Sequence, residues 1–239
     1  MRIEELLLVR HGESVGNLAA AEAYQAGAEV IRVDTRDADV PLSPLGRTQA
    51  DALGSALAPR LSDGVATVVW SSPYLRAVQT AHAALTVAGV DPGMRLDERL
   101  RDRELGVLDL LTQIGVAARY PVEAERRRWL GKFYHRPPGG ESWADVALRL
   151  RSFLRDLDDT ASAERAVIVT HDAVIMLLRY LCEGLSEAEV LDLGLADPVR
   201  NAALTILRRV ASGWELVTYN DVRHLQGTGT PVTEHPGEP

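Results

Sequence analysis

Three short apolar runs recur along this chain, and each is followed by residues that start a helix. Residues 3–9 (IEELLLV), 65–71 (VATVVWS) and 166–170 (AVIVT) are continuous, apolar and bounded by turn signals, so they read as buried strands. Residues 94–96 make a further short strand, and 203–207 with 214–219, separated by Ser212-Gly213, suggest a hairpin. Between the strands lie helix signals. Residues 18–28 are alanine-rich, and 34–39 form a charged loop before the next helix. That helix has Ser43 as N-cap, Pro44 at its first position and Leu53, Leu57 and Leu61 as its apolar stripe. Ser72-Pro73 starts a helix over 74–87 by the same logic. Residues 143–157 carry Val146, Leu150, Phe153, Leu154 and Leu157 at helical spacing, and 173–182 follow the third strand as another helix. Strands alternating with helices predict an α/β sheet covered on both faces. Such sheets bind ligands beyond the carboxyl ends of their strands.

Those strand ends carry the reactive residues. Arg10-His11-Gly12 closes the first run, 71–76 with Arg76 closes the second, and His171 closes the third. A guanidinium can fork onto two phosphate oxygens. A neutral imidazole can attack phosphorus, and Gly12 lets the backbone come close. Ser14 and Asn17 could add donors to the oxygens. Arg76 falls in the first turn of its helix, where free N–H groups and the helix dipole favour an anion. One such tripeptide, arginine or histidine is weak evidence, since surface arginines and core histidines are common. Four cationic or proton-active groups at equivalent strand ends make a candidate site.

Composition narrows the class. The chain has 239 residues, 46% hydrophobic and 25% charged, enough to bury a core without disulfide or metal staples. Residues 1–225 read as a single domain, with 99–143 an excursion from its core punctuated by PPGG at 137–140. The polar stretch 226–239 reads as a disordered tail. No run nears the roughly 20 apolar residues of a membrane span. The start, with Glu4 and Glu5, does not look like a signal peptide. Cys182 is the single cysteine, so no intrachain disulfide is possible and the cytoplasm is the natural compartment. A net charge of −8 sets aside nucleic acid as a partner. Lys132 is the single lysine, so arginine must supply nearly all the positive charge.

Taken in order, LVRHGES, PLSPLGRTQA, SSPYLRAVQTA and VTHDAVI resemble the histidine phosphatase superfamily, also called the phosphoglycerate-mutase-like family. The resemblance covers residues 3–220 and implies a three-layer α/β/α sandwich with a mostly parallel central sheet. It implies His11 as a nucleophile that becomes phosphohistidine, with Arg10, Arg76 and His171 as its phosphate pocket. The family places an acid in a stretch like Leu-x-Glu-x-x-x-Gly; here LRDRELG, residues 100–106, puts Asp102 at that position. Aspartate is one methylene shorter, and Glu104, two residues on, faces the same side if the loop is extended. Either could be the proton donor, and motif position favours Asp102. RPPGGESWADV also resembles members of the family. Glu141 could close the pocket edge, and Ser142 caps the following helix. Arg126, Arg127 and Arg128 form a solvated face or grip the rest of an anionic substrate.

The implied reaction is phosphomonoester hydrolysis of a small phosphorylated metabolite through a phosphohistidine on His11, with protonated His171 helping to hold the phosphoryl oxygens. It needs no metal or cofactor, because arginines supply the charge. One alternative is a cofactor-dependent phosphoglycerate mutase. Against it, no lysine stands at Thr112-Gln113-Ile114, and Asp172-Ala173 replaces the mutases' glycine-asparagine after the second histidine. For it, Arg127-Arg128 could serve as the mutases' arginine pair. A non-catalytic phosphate-binding or interaction module on the same fold is the other alternative.

Overall fold

The computed structural model describes residues 2–91, 93–159 and 162–234. Its centre is one six-stranded sheet: β1 (Glu5–Arg10), β2 (Thr67–Ser71), β3 (Met94–Leu96), β4 (Arg165–Thr170), β5 (Leu204–Val210) and β6 (Gly213–Asp221). The strands lie in the order β3-β2-β4-β1-β5-β6. The first four are mutually parallel; β5 and β6 run antiparallel as the expected hairpin.

Alternation along β1 explains why both faces are covered. Leu6 and Leu8 join one cluster with Ile168 of β4 and with Leu150 and Phe153 of α6 (Trp143–Asp159) and Val174 and Ile175 of α7 (Asp172–Glu183). Leu7 and Val9 join the opposite cluster with Leu53 and Leu57 of α2 (Pro44–Leu61) and Ala77 and Ala81 of α3 (Leu75–Ala88). Each fully buried leucine contributes about 2 kcal/mol on transfer alone, so both faces of β1 contribute to the core. The helices and sheet thus form an α/β/α arrangement. The other helices are α1 (Val15–Gln25), α4 (Gln113–Arg119), α5 (Pro121–Tyr134), α8 (Glu187–Ala196) and α9 (Arg223–Thr228). No helix among the described residues is long and apolar enough to cross a membrane.

Register brings the reactive strand ends together. β1 and β4 pair with Arg10 opposite Thr170, and the His11 N–H donates to the Thr170 carbonyl at 2.9 Å. His11 and His171 therefore leave the sheet side by side. On the other flank of β4, the Ser72 N–H donates to Val169 O at 2.9 Å, which brings in the β2 end.

One local expectation changes. Ser72 is not the cap of α3: Tyr74 holds that position without a side-chain bond, while the Ser72 hydroxyl accepts from the Tyr74 N–H at 3.2 Å. Residues 226–234 of the polar tail make specific contacts. Gln226 and Thr228 lie in α9, Gln49 Nε2 donates to Pro231 O at 3.0 Å, and the Asn201 N–H donates to Thr233 O at 3.1 Å. Polar composition hid these contacts because the bonds hold backbone carbonyls, which any sequence has. Residues 235–239 lie outside the described residues. The caps at Ser43 and Ser142 form as expected: Ser43 accepts from Gly46 N at 3.0 Å, and Ser142 from Asp145 N at 3.1 Å.

Candidate active site

His11 is the most constrained side chain of the cluster. It is buried, and its Nδ1 lies 2.7 Å from the carbonyl of Gly12. A carbonyl can only accept, so Nδ1 carries the proton and Nε2 keeps its lone pair. Burial, and then the nearby Arg76, His171 and Arg10, push its pKa well below the usual histidine value. The ring is thus a neutral imidazole of fixed tautomer. Its backbone is held too: His11 O accepts from the Ala202 N–H and from Asn201 Nδ2, each at 3.2 Å.

His171 is fully buried, with its ring centroid 5.1 Å from that of His11. Nε2 lies 2.8 Å from Ser72 Oγ, and Nδ1 lies 3.2 Å from Oδ2 of Asp102. Burial lowers its pKa and outweighs Asp102, which acts the other way. A bound phosphoryl dianion would favour its charged form.

The two arginines are buried beneath the cavity. Arg10 Nη1 donates to the carbonyl of Val199. Arg76 Nη2 reaches Asp102 Oδ2 at 3.2 Å, and the same guanidinium is forked by Asp37: Nη1 to Oδ1 at 2.9 Å and Nη2 to Oδ2 at 3.2 Å. Asp102 sits among these groups, its Oδ2 shared by Arg76 and His171. Burial works against its charge, but His171 and Arg76 outweigh that and hold the carboxyl well below its ordinary range.

Arg10, His11, Arg76 and Asp102 line a cavity of about 240 Å³, with His171 behind it. Such a set can hold a phosphoryl group, offer it a nucleophile and place a carboxylate beside it. Residues 6–222 match the model of the histidine phosphatase superfamily, branch 1. The chain belongs to this superfamily. It is 34% identical to a phosphoglycerate mutase-like protein of Arabidopsis thaliana over 70% of this chain and 62% of that protein, so it spans less than two thirds of that relative. It is 33% identical to a 2,3-bisphosphoglycerate-dependent phosphoglycerate mutase of Gloeobacter violaceus, over 74% of this chain and 76% of the relative. The solved mycobacterial glucosyl-3-phosphoglycerate phosphatase in complex with VO3 superposes with a TM-score of 0.70 at 28% identity, covering 92% of this chain and all of that one. Mutases and phosphatases of the superfamily thus both stand near this chain.

The remaining predicted residues divide. Ser14 and Asn17 line the cavity but form the capping box of α1: Asn17 N donates to Ser14 Oγ at 3.1 Å, and Ser14 N to Asn17 Oδ1 at 3.0 Å. Asn17 Oδ1 being engaged, its Nδ2 is the group that can meet a ligand. Glu104 also lines the cavity and accepts from Tyr74 Oη at 2.7 Å. Glu141 stands behind this loop. Its carboxylate binds Arg101 Nη2 at 2.7 Å and Arg149 Nε at 3.0 Å, so it braces the loop carrying Asp102 and does not line the cavity. It reaches the cavity rim through the backbone of Glu104, whose N–H donates to Glu141 Oε2 at 3.2 Å. Sequence reasoning missed Asp37, Ser72 as partner of His171, and Asn201. Only Ser72 carried a signal, being beside a strand end.

Proposed function

We propose that the protein hydrolyses a phosphomonoester of a small metabolite through a phosphohistidine on His11. One observation carries the reading: the Gly12 carbonyl fixes the His11 tautomer so that a neutral Nε2 stands among Arg10, Arg76 and His171. In the first step Nε2 forms a bond to phosphorus as the ester P–O bond breaks, and the leaving oxygen takes a proton. Arg10, Arg76 and His171 hold the phosphoryl oxygens, where charge is spread. In the second step water attacks phosphorus, the P–N bond breaks, and a carboxylate accepts the water's proton.

Asp102 is the proton carrier in this reading. The phosphoryl group brings negative charge against a carboxylate that Arg76 and His171 had kept ionised, and so moves it toward the protonated form needed for the leaving group. Glu104, which accepts from Tyr74 Oη, also lines the cavity and is the alternative donor.

Hydrolysis is favoured over mutase action by the excursion. Arg126, Arg127 and Arg128 do not line the cavity, and Arg126 Nη1 pairs with Glu123 at 3.1 Å. Thr112 caps α4 by accepting from Gly115 N at 3.2 Å, away from any substrate role. The test is a panel of phosphomonoesters assayed for released inorganic phosphate, with 3-phosphoglycerate plus its bisphosphate as the mutase arm. Phosphate release from the esters in excess chelator is expected. Isomerisation without release would assign the mutase, and neither activity would assign a binding module.

A further inference from the structure

Arg76 already holds an anion. Its Nη1 donates to the Asp37 carbonyl at 2.7 Å and to Asp37 Oδ1 at 2.9 Å, and its Nη2 to Oδ2 at 3.2 Å. With Asp102 also on Nη2, both terminal nitrogens of this phosphate arginine face carboxylate oxygens. A phosphoryl group needs the same fork, because a guanidinium presents its donors in one plane.

The two carboxylates differ in how they are held. Asp102 is anchored by the Arg103 N–H on Oδ1 at 2.9 Å and stands beside His171. Asp37 is 41% exposed at its side chain and sits in a 3-10 turn, Asp37–Asp39, on the segment between α1 and α2. That segment is tethered at one end by the Ile31 N–H to Leu110 O at 2.8 Å and at the other by the Val15 N–H to Pro41 O at 3.0 Å. Between the tethers Arg32, Asp34, Thr35, Arg36 and Asp39 are exposed. Val40, buried beside Gly16 of α1, is the pivot, so the exposed turn ahead of it can swing outward without unseating α1 or α2, and water would rehydrate the released carboxylate.

We propose that Asp37 is a displaceable counter-anion: it occupies Arg76 in the empty site, the substrate's phosphoryl group evicts it, and it returns as phosphate leaves. This rests on the phosphatase reading of the site. Its consequence is a tempered affinity for anions. Every phosphate that binds must break the Asp37 fork, so product phosphate is held less tightly than bare arginines would hold it, and turnover is not trapped by product. Asp37 touches neither the nucleophile nor the leaving oxygen; it sets how strongly Arg76 grips.

The experiment titrates inorganic phosphate and vanadate into wild type, Asp37→Asn, Asp37→Glu and Arg76→Ala by calorimetry, which needs no turnover. Asp37→Asn keeps the shape and loses the charge, so phosphate should bind tighter, by roughly five- to tenfold for a buried arginine facing a partly exposed carboxylate. Asp37→Glu restores a competing carboxylate and should return toward wild type. Arg76→Ala should abolish the difference. Hydrogen exchange gives a second readout of opposite sign to ordinary ligand closure: phosphate should speed exchange over residues 32–40 in wild type and leave Asp37→Asn unchanged. Unchanged or weaker phosphate binding in Asp37→Asn would overturn the inference and make Asp37 a support for Arg76. Wild type that binds no phosphate at all would instead overturn the phosphatase reading beneath it.

Discussion

Oδ2 of Asp102 lies 3.2 Å from Nδ1 of His171, so the carboxylate proposed as proton donor is in contact with the second histidine of the cluster. Asp102 is short for its position, and the brace of Glu141 through Arg149, whose Nη2 donates to Asp102 O at 3.1 Å, sets the loop close enough to compensate. The donor should then be Asp102. Removing it should hurt alkyl phosphates by about 10²–10⁴ in kcat/KM and spare nitrophenyl phosphate, whose leaving group needs little protonation. Kinetics of Asp102→Asn and Glu104→Gln on both substrates decide this. Leaving-group dependence confined to Glu104→Gln would reassign the role to the carboxylate on Tyr74.

His11 should carry the phosphoryl group. Wild type quenched after brief incubation with labelled substrate should retain label that survives alkali and is lost in acid, as a phosphoramidate does. His11→Ala should retain none. Label that persists in this variant would place the nucleophile elsewhere, and the fixed tautomer at Gly12 would then have no catalytic meaning.

How much of this was legible beforehand follows from the range of each interaction. The buried strands and the caps at Ser43 and Ser142 are local patterns, and they stand where the sequence puts them. The nearness of His11 to His171 rests on β1 pairing with β4, a contact 160 residues apart in chain order that no local pattern encodes. Motif order supplied it. Asp37 looked like one acid among many in a charged loop, since nothing in its neighbours announces Arg76 as partner. The contacts of Thr233 in the polar tail are equally non-local: it is held by Gln49 and Asn201, residues far away in sequence.

Acid should weaken the fold from below neutrality. His11 and His171 both have pKa values lowered by burial, while in the unfolded chain they titrate near 6.5. Below about pH 6.5 the unfolded state binds protons that the folded state refuses, so unfolding free energy falls as pH falls, by up to about 1.4 kcal/mol per pH unit for each histidine. Asp102, also lowered, adds its own loss only below the ordinary aspartate range, near pH 4. Urea unfolding at pH 7.5 and 5.5 measures the slope. His11→Gln should flatten it. A slope unchanged in that variant would mean the ring is protonated in the folded protein.

Backbone contact between two glycines seats the loop after His11 on α2. A Cβ built on Gly46 would lie 1.9 Å from the carbonyl oxygen of Glu13, and one on Gly12 would lie 2.4 Å from that of Gly46. Both obstacles are backbone, so neither can yield by a rotamer change. The approach also lets Ser43 Oγ donate to Glu13 Oε1 at 2.7 Å and lets Glu13 N donate to Gln49 Oε1 at 2.8 Å, bonds that fix the residues just after His11. Gly46→Ala should therefore cost about 1–3 kcal/mol by overpacking. In a chain of this size that lowers Tm by roughly 2–4 °C for each kcal/mol. The loop moves with the helix, so phosphoenzyme formation should fall by more than the folded fraction does. Gly194→Ala is the internal comparison: it lies in α8, where an added Cβ meets only Met176 Cε at 3.8 Å. There, alanine's better helix propensity should raise stability by up to about 1 kcal/mol and leave activity alone. Thermal unfolding and phosphoenzyme yield on the two variants separate the cases. A Gly46→Ala protein with unaltered Tm and full phosphorylation would show that the close approach is not needed to hold His11.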